Sequence, residues 1–260
     1  MFGRRKLAML VAEFLGTGVL TLVFLSVQRS TIGVPYFVAL AAGLAVAMAM
    51  LVVGEVSGAH LNPAITIALW VARKVGTVTG IVYVIMQLLG AWAAYGLYTY
   101  FVNSSLQPIG GHYVGRVFVA EIVGSFILAV GWGAVAFGRV LSNGARAATV
   151  GVSYALGIIV AAAAGIGISN PAVALGTRAW EIWGSMGWGT YVAGPVIGAL
   201  AGAVVVYGLL FRPMEEAEVV ASDKAVATPI AAKTASKTAR TKTATATTAR
   251  KKTTTTRRKK

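Results

Sequence analysis

Six stretches of the chain are apolar almost without interruption, near positions 7 to 27, 36 to 55, 77 to 101, 116 to 137, 147 to 164 and 190 to 211. Each approaches the roughly 20 residues that a helix needs to cross about 30 Å of hydrocarbon. The pattern therefore predicts six transmembrane helices. The first follows Arg4, Arg5 and Lys6 and starts like a signal peptide, but its apolar run is long and no small-x-small site closes it. It is expected to stay as the first helix. Two more segments, 57 to 70 and 165 to 180, are apolar yet too short to cross, and each is broken by a proline.

Composition agrees with a membrane protein and excludes a soluble globular domain: of 260 residues 57% are hydrophobic and 12% charged, with a mean hydropathy of +0.75. The net charge of +15 is unevenly placed, because residues 213 to 260 hold 12 Lys/Arg against four acids. That Ala/Thr/Lys/Arg-rich stretch has almost nothing to bury and is expected to be a disordered tail beyond a folded domain of residues 1 to 212. Anionic lipid or nucleic acid would suit its charge, and a solvated tail without a dedicated partner is the plainer reading. With the N-terminus in the cytoplasm, inside loops carry Arg4, Arg5, Lys6, Arg73, Lys74, Arg139, Arg146 and Arg212, and outside loops carry Arg29, Arg116 and Arg178. This bias puts both termini on the cytoplasmic side of a multi-pass cell-membrane protein. The chain has no Cys, which excludes disulfides and thiolate sites, and its two His, 52 positions apart, cannot supply a His-rich metal site alone, so no metal is expected.

Laid on itself at an offset of 108, the chain repeats. Ala12-Glu13 falls on Ala120-Glu121, Gly16-Thr17 on Gly124-Ser125, Asn62-Pro63-Ala64 on Asn170-Pro171-Ala172, and Gly90-Ala91 on Gly198-Ala199. One gapless offset serving four separated matches indicates duplication, with halves of about 7 to 101 and 116 to 211. Three spans per half, an odd number, force the second half upside down. The expected fold is thus all-α, six transmembrane helices plus two re-entrant half-helices in an inverted 3+3 repeat, with the broken segments meeting near the bilayer midplane.

Asn is a preferred helix N-cap and Pro suits the first helical position, so Asn62-Pro63 and Asn170-Pro171 each predict the start of a short helix, one to about Trp70 and the other to about Thr177. In inverted halves the two starts face each other, with Ala64 and Ala172 small enough for close approach. Irregular backbone upstream, through Gly58-Ala59-His60 and Ile166-Gly167-Ile168, is tolerable at that depth if it is buried in protein or lines a watery path. If it lines a path, its carbonyls form a ladder of acceptors, with the Asn62 and Asn170 amides as central donors. Such a path suits small neutral hydrogen-bonding solutes and offers cations no carboxylate ring.

The chain resembles the aquaporin (major intrinsic protein) family over about residues 7 to 212. The likeness rests on Ser57-Gly58-Ala59-His60-Leu61-Asn62-Pro63-Ala64, on Asn170-Pro171-Ala172, on the Ala-Glu-x-x-Gly-Thr/Ser starts of helices one and four, on Gln87 with Gly90-Ala91, and on Gly194-Pro195. The resemblance implies a homotetramer of independently conducting protomers that pass water, glycerol or similar solutes down their gradient without a cofactor. It implies that Asn62 and Asn170 are the central donors and that Gly58, Ala59, His60, Ile166 and Ile168 supply the carbonyls. Glu13 and Glu121 would hold the two loops as hydrogen-bond acceptors, and His60 would fix its loop rather than bind metal.

The family's four-residue outer constriction, counted without gaps from the two motifs, falls on Ala42, Ile158, Gly167 and Val173. The usual Arg after the second motif is replaced by Val173, and the aromatic and His of water-selective members are replaced by Ala42 and Ile158. The expectation is a wider, more apolar constriction that still passes water. Arg178, five residues past Val173, is not expected to substitute. Two other classes compete. A coupled secondary transporter would need a titratable or ion-binding group at the centre, and a lipid-binding membrane protein would act through the tail. An enzyme is not expected, since Ser57 and Ser169 lack a base beyond His60 and no phosphate loop follows a strand.

Overall fold

The computed structural model describes residues 3–30, 34–108, 115–179, 187–206 and 210. Contacts gather Met1–Pro213 into one unit, separate from Met214–Lys260. The basic tail lies outside the described residues.

The described elements are α1 (Arg4–Gln28), α2 (Pro35–Ser57), α3 (Pro63–Val71), α4 (Thr77–Val102), α5 (Gly115–Ala136), α6 (Asn143–Ala162), α7 (Pro171–Gly176), a π-helical turn (Gly189–Ala193) and α8 (Gly194–Val204). Helices α1, α2, α4, α5 and α6 are long and apolar enough to span a membrane. The sixth expected span appears as the shorter apolar helix Gly189–Val204, and its expected end at 211 falls outside the described residues. Helix α6 begins four residues before the apolar run does, because the Ser142 hydroxyl accepts from the Ala145 N–H at 3.3 Å and caps a polar first turn. The π turn directly precedes Gly194-Pro195. Pro195 has no N–H to give residue 191 and its ring crowds that turn, which widens the helix there.

Helix α1 shows why these segments belong in lipid. Leu7, Val11, Leu15 and Val19, one residue per turn, are 42–58% exposed, whereas Glu13, Thr17 and Thr21 are fully buried. Apolar residues face out and polar ones face in, the reverse of a helix in water.

The packing follows the duplication. Helix α1 lies along α4 as α5 lies along α8, α1 meets α2 as α5 meets α6, and α2 crosses α6 between the halves. At that crossing a Cβ on Gly43 would stand 2.6 Å from the Gly151 carbonyl oxygen, and one on Gly151 would stand 2.7 Å from the Gly43 carbonyl oxygen. Within each half, Gly90 abuts the Phe14 carbonyl and Gly198 abuts the Ile122 carbonyl. The bare backbones approach as small residues allow in membrane bundles. The half-helices α3 and α7 touch inside this frame.

Candidate functional site

Both half-helices begin with an asparagine cap. The Asn62 Oδ1 accepts from the Ala64 N–H at 2.9 Å, and the Asn170 Oδ1 accepts from the N–H groups of Ala172 at 2.9 Å and Val173 at 3.3 Å. The amide nitrogens then cross between the halves: Asn62 Nδ2 donates to the Ser169 carbonyl at 2.8 Å, and Asn170 Nδ2 donates to the Leu61 carbonyl at 2.9 Å. Leu61 and Ser169 are themselves related by the offset of 108. The two asparagines are thus brought together head to head, each locked to the residue that precedes the other.

The loops leading to them are held from behind. Glu13 Oε1 accepts from the Ser57 hydroxyl at 2.7 Å and the His60 N–H at 3.0 Å, and Oε2 accepts from the Leu61 N–H at 2.8 Å and Gln87 Nε2 at 2.7 Å. Glu121 accepts from the N–H groups of Ile168 at 2.8 Å and Ser169 at 2.7 Å. A trans peptide holds its C=O opposite its N–H. Donation to the two carboxylates therefore turns the carbonyls of Ala59, His60, Gly167 and Ile168 away from them. The Ala59 N–H donates to the Ser57 hydroxyl at 3.1 Å and turns the Gly58 carbonyl in the same sense. Ile166, also expected to supply a carbonyl acceptor, is half-buried just before this stretch.

This orientation needs unusual backbone. Ala59, Leu61 and Ser169 have φ of +48°, +50° and +51°, and Gly167 has +69°. A left-handed non-glycine residue costs about 1–2 kcal/mol, which the buried charge-assisted bonds to Glu13 and Glu121 offset.

Further groups brace the first loop. Gln87 Nε2 also donates to the Thr66 hydroxyl at 2.9 Å, His60 Nδ1 lies 3.2 Å from the same hydroxyl, and the Tyr83 hydroxyl donates to the Ser57 carbonyl at 3.0 Å. Ser57, Thr66 and Tyr83 were not singled out from the motifs as loop braces. The first stands at the end of α2, and the other two lie near His60 only once α3 and α4 pack together. Next to this network is a cavity of about 420 Å³ bordered by His60, Lys74, Trp132 and Arg146, with the Lys74 Nζ 4.2 Å from the Phe137 ring centre. Among the described residues no cluster of His, Cys, Asp and Glu could hold a metal ion.

Of the four residues counted to the outer constriction, Ala42, Ile158 and Val173 are fully buried in one cluster. Gly167 stands so close to Ile158 that a Cβ there would lie 2.4 Å from its carbonyl oxygen. Arg178 lies beyond the end of α7, has φ of +62°, and its guanidinium donates to the Leu106 carbonyl.

Comparison with known proteins settles the family. The model of the major intrinsic protein family matches residues 4–207. The chain belongs to the major intrinsic protein family. It is similar to aquaporin-5 of Ovis aries, 33% identical over 183 residues that make up 67% of this chain and 69% of that protein. It is also similar to aquaporin AqpM of Methanothermobacter marburgensis, 30% identical over 189 residues, 64% of this chain and 74% of that one. Among solved structures, that of the aquaglyceroporin from Plasmodium falciparum superposes with a TM-score of 0.62 at 25% identity, covering 81% of this chain and 99% of that chain. The protein is accordingly a multi-pass membrane protein of a channel family, and that family is not one of enzymes.

Proposed function

We propose that this major intrinsic protein is a passive channel for water and small uncharged solutes, with Asn62 and Asn170 at the middle of its path. The reciprocal asparagine geometry carries the reading. Each side-chain amide has two N–H groups; one is spent on the opposite loop, and the second is free to meet a permeating molecule. The oriented carbonyls of Gly58, Ala59, His60, Gly167 and Ile168 supply the matching acceptors. The oxygens of Glu13 and Glu121 already accept from loop N–H groups, so the centre offers a cation no open carboxylate, and a neutral molecule with a donor and an acceptor fits best.

At the outer end, Ala42, Ile158, Gly167 and Val173 form a constriction that is apolar and wider than one carrying an aromatic, an imidazole and a guanidinium. Arg178 supports this reading by being drawn to the Leu106 carbonyl. Water passes; selection of polyols by hydrogen bonding weakens. The second reading is a facilitator mainly for glycerol or another small uncharged solute, favoured by the structural likeness to an aquaglyceroporin. We further propose a homotetramer in a cell membrane, with both termini cytoplasmic, in line with the Lys/Arg bias.

Stopped-flow light scattering on proteoliposomes tests the reading. The native protein is expected to exceed empty liposomes for water under a sucrose gradient and for a solute under a glycerol gradient, and Val173→Arg is expected to lose mainly the solute. Native flux no greater than that of empty liposomes would sink the channel reading. Solute flux that follows a proton or sodium gradient would point instead to a coupled transporter.

A further inference from the structure

Helix α6 turns more than Ile158 to the interior. Val150, Tyr154 and Ile158 recur every four residues and are each no more than 1% exposed. Gly151 and Ala155, on the neighbouring stripe, meet Gly43 on α2, so the Val150–Tyr154–Ile158 stripe is turned to the interior. Helix α6 starts at the end of the molecule that holds the Lys74 and Arg146 cavity. Tyr154 therefore lies one turn, about 6 Å, further in than Ile158, toward the paired asparagines. Its hydroxyl lies within reach of the Asn170 side-chain amide and has no partner that meets hydrogen-bond geometry.

A fully buried phenol hydroxyl left unpaired next to a central amide calls for a functional explanation. The duplication sharpens the point. The residue 108 positions earlier is Val46, equally buried and without a polar group. Tyr154 therefore adds a ring and a hydroxyl in one half of the duplication only.

We infer that Tyr154 is a specificity-determining residue: its ring narrows the path at the level of Asn170, and its hydroxyl is a third hydrogen-bonding group for the permeating molecule. The selective step thereby moves inward by one helical turn from the Ala42, Ile158, Gly167 and Val173 positions. A phenol both donates and accepts, so beside the Asn170 donor it favours a single-file molecule that does the same. Water fits and a three-carbon polyol is slowed. The inference rests on the channel reading and deepens it.

Native protein, Tyr154→Val and Tyr154→Phe are reconstituted at equal density, after each elutes as the native species by size exclusion, and water and glycerol permeabilities are measured on the same vesicles. Tyr154→Val is expected to raise the glycerol-to-water ratio about fivefold or more. Tyr154→Phe, which keeps the ring, is expected to hold that ratio within about twofold while water permeability falls by half or more. An unchanged ratio in Tyr154→Val overturns the narrowing role, and unchanged water permeability in Tyr154→Phe overturns the role of the hydroxyl. Native protein that conducts water while Tyr154→Val leaves the ratio alone defeats this inference but not the channel reading; native protein indistinguishable from empty liposomes defeats both.

Discussion

The buried carboxylates decide how much the pore loops cost to hold. Glu13 accepts from four donors, two of them backbone N–H groups of left-handed or flanking residues. Glutamine at the same position keeps the volume but turns one acceptor into a donor that faces other donors. A hydrogen bond to a charged group is worth about 1.5–3 kcal/mol, and a buried donor left unmet costs about 1–3 kcal/mol. Glu13→Gln is thus expected to destabilise the protein by about 3 kcal/mol or more, read as a lower unfolding midpoint in detergent. Glu121 receives two backbone donors, so Glu121→Gln should cost less. Equal midpoints for native protein and Glu13→Gln would mean that the carboxylate does not hold the loop. Aspartate at position 13 separates charge from reach, because it restores the charge on a side chain one methylene shorter. It should recover less than half of the loss.

Helix contacts divide the glycines into those that must stay bare and those that need not. Gly43→Ala drives a Cβ into the Gly151 backbone, and Gly198→Ala drives one to 2.1 Å from the Ile122 carbonyl oxygen. Backbone cannot swing aside as a side-chain tip can, so each is expected to cost about 1–3 kcal/mol. Gly96→Ala meets open space on α4 and should be neutral or stabilising by up to about 1 kcal/mol. Thermal midpoints of the three variants check this ordering, and a Gly43→Ala variant as stable as Gly96→Ala would refute it. The same pairs show why so much of the architecture was legible. Duplication at a fixed offset wrote each contact into the sequence twice, so that Gly90 with Gly198, or Asn62 with Asn170, stands out against chance. Features that the repeated motifs do not spell out were hidden. The π turn before Pro195 and the early start of α6 at Asn143 depend on a proline's missing N–H and a serine's capping hydroxyl, which an apolar count does not register. The left-handed backbone at Leu61 and Ser169, and the cross-donation to their carbonyls, depend on two loops meeting in space. Nothing in the sequence singles out Tyr154 within the apolar run of α6, because which stripe of a membrane helix turns inward is set by its neighbours.

Charge carries two expectations, one for the protein's orientation in a bilayer and one for residues 213 to 260. The spanning part needs a tail for neither its core nor its path, since Glu13, Glu121 and both asparagines find their partners before residue 179. Residues 213 to 260 carry 12 Lys/Arg against four acids, and a juxtamembrane basic residue near an anionic surface contributes about 1 kcal/mol. The excess of eight is ample to hold such a segment to anionic headgroups at low salt and is weakened as the screening length shrinks to about 8 Å at physiological salt. Deleting residues 214 to 260 is therefore expected to leave osmotic water permeability within about twofold of native. In its isolated form the segment should bind phosphatidylserine-containing vesicles and release them as salt is raised from 0.05 to about 0.5 M. A truncated protein that no longer conducts water would make the tail part of the channel's working structure. Unaltered conduction together with salt-insensitive vesicle binding would mean that the tail is held by something other than its charge.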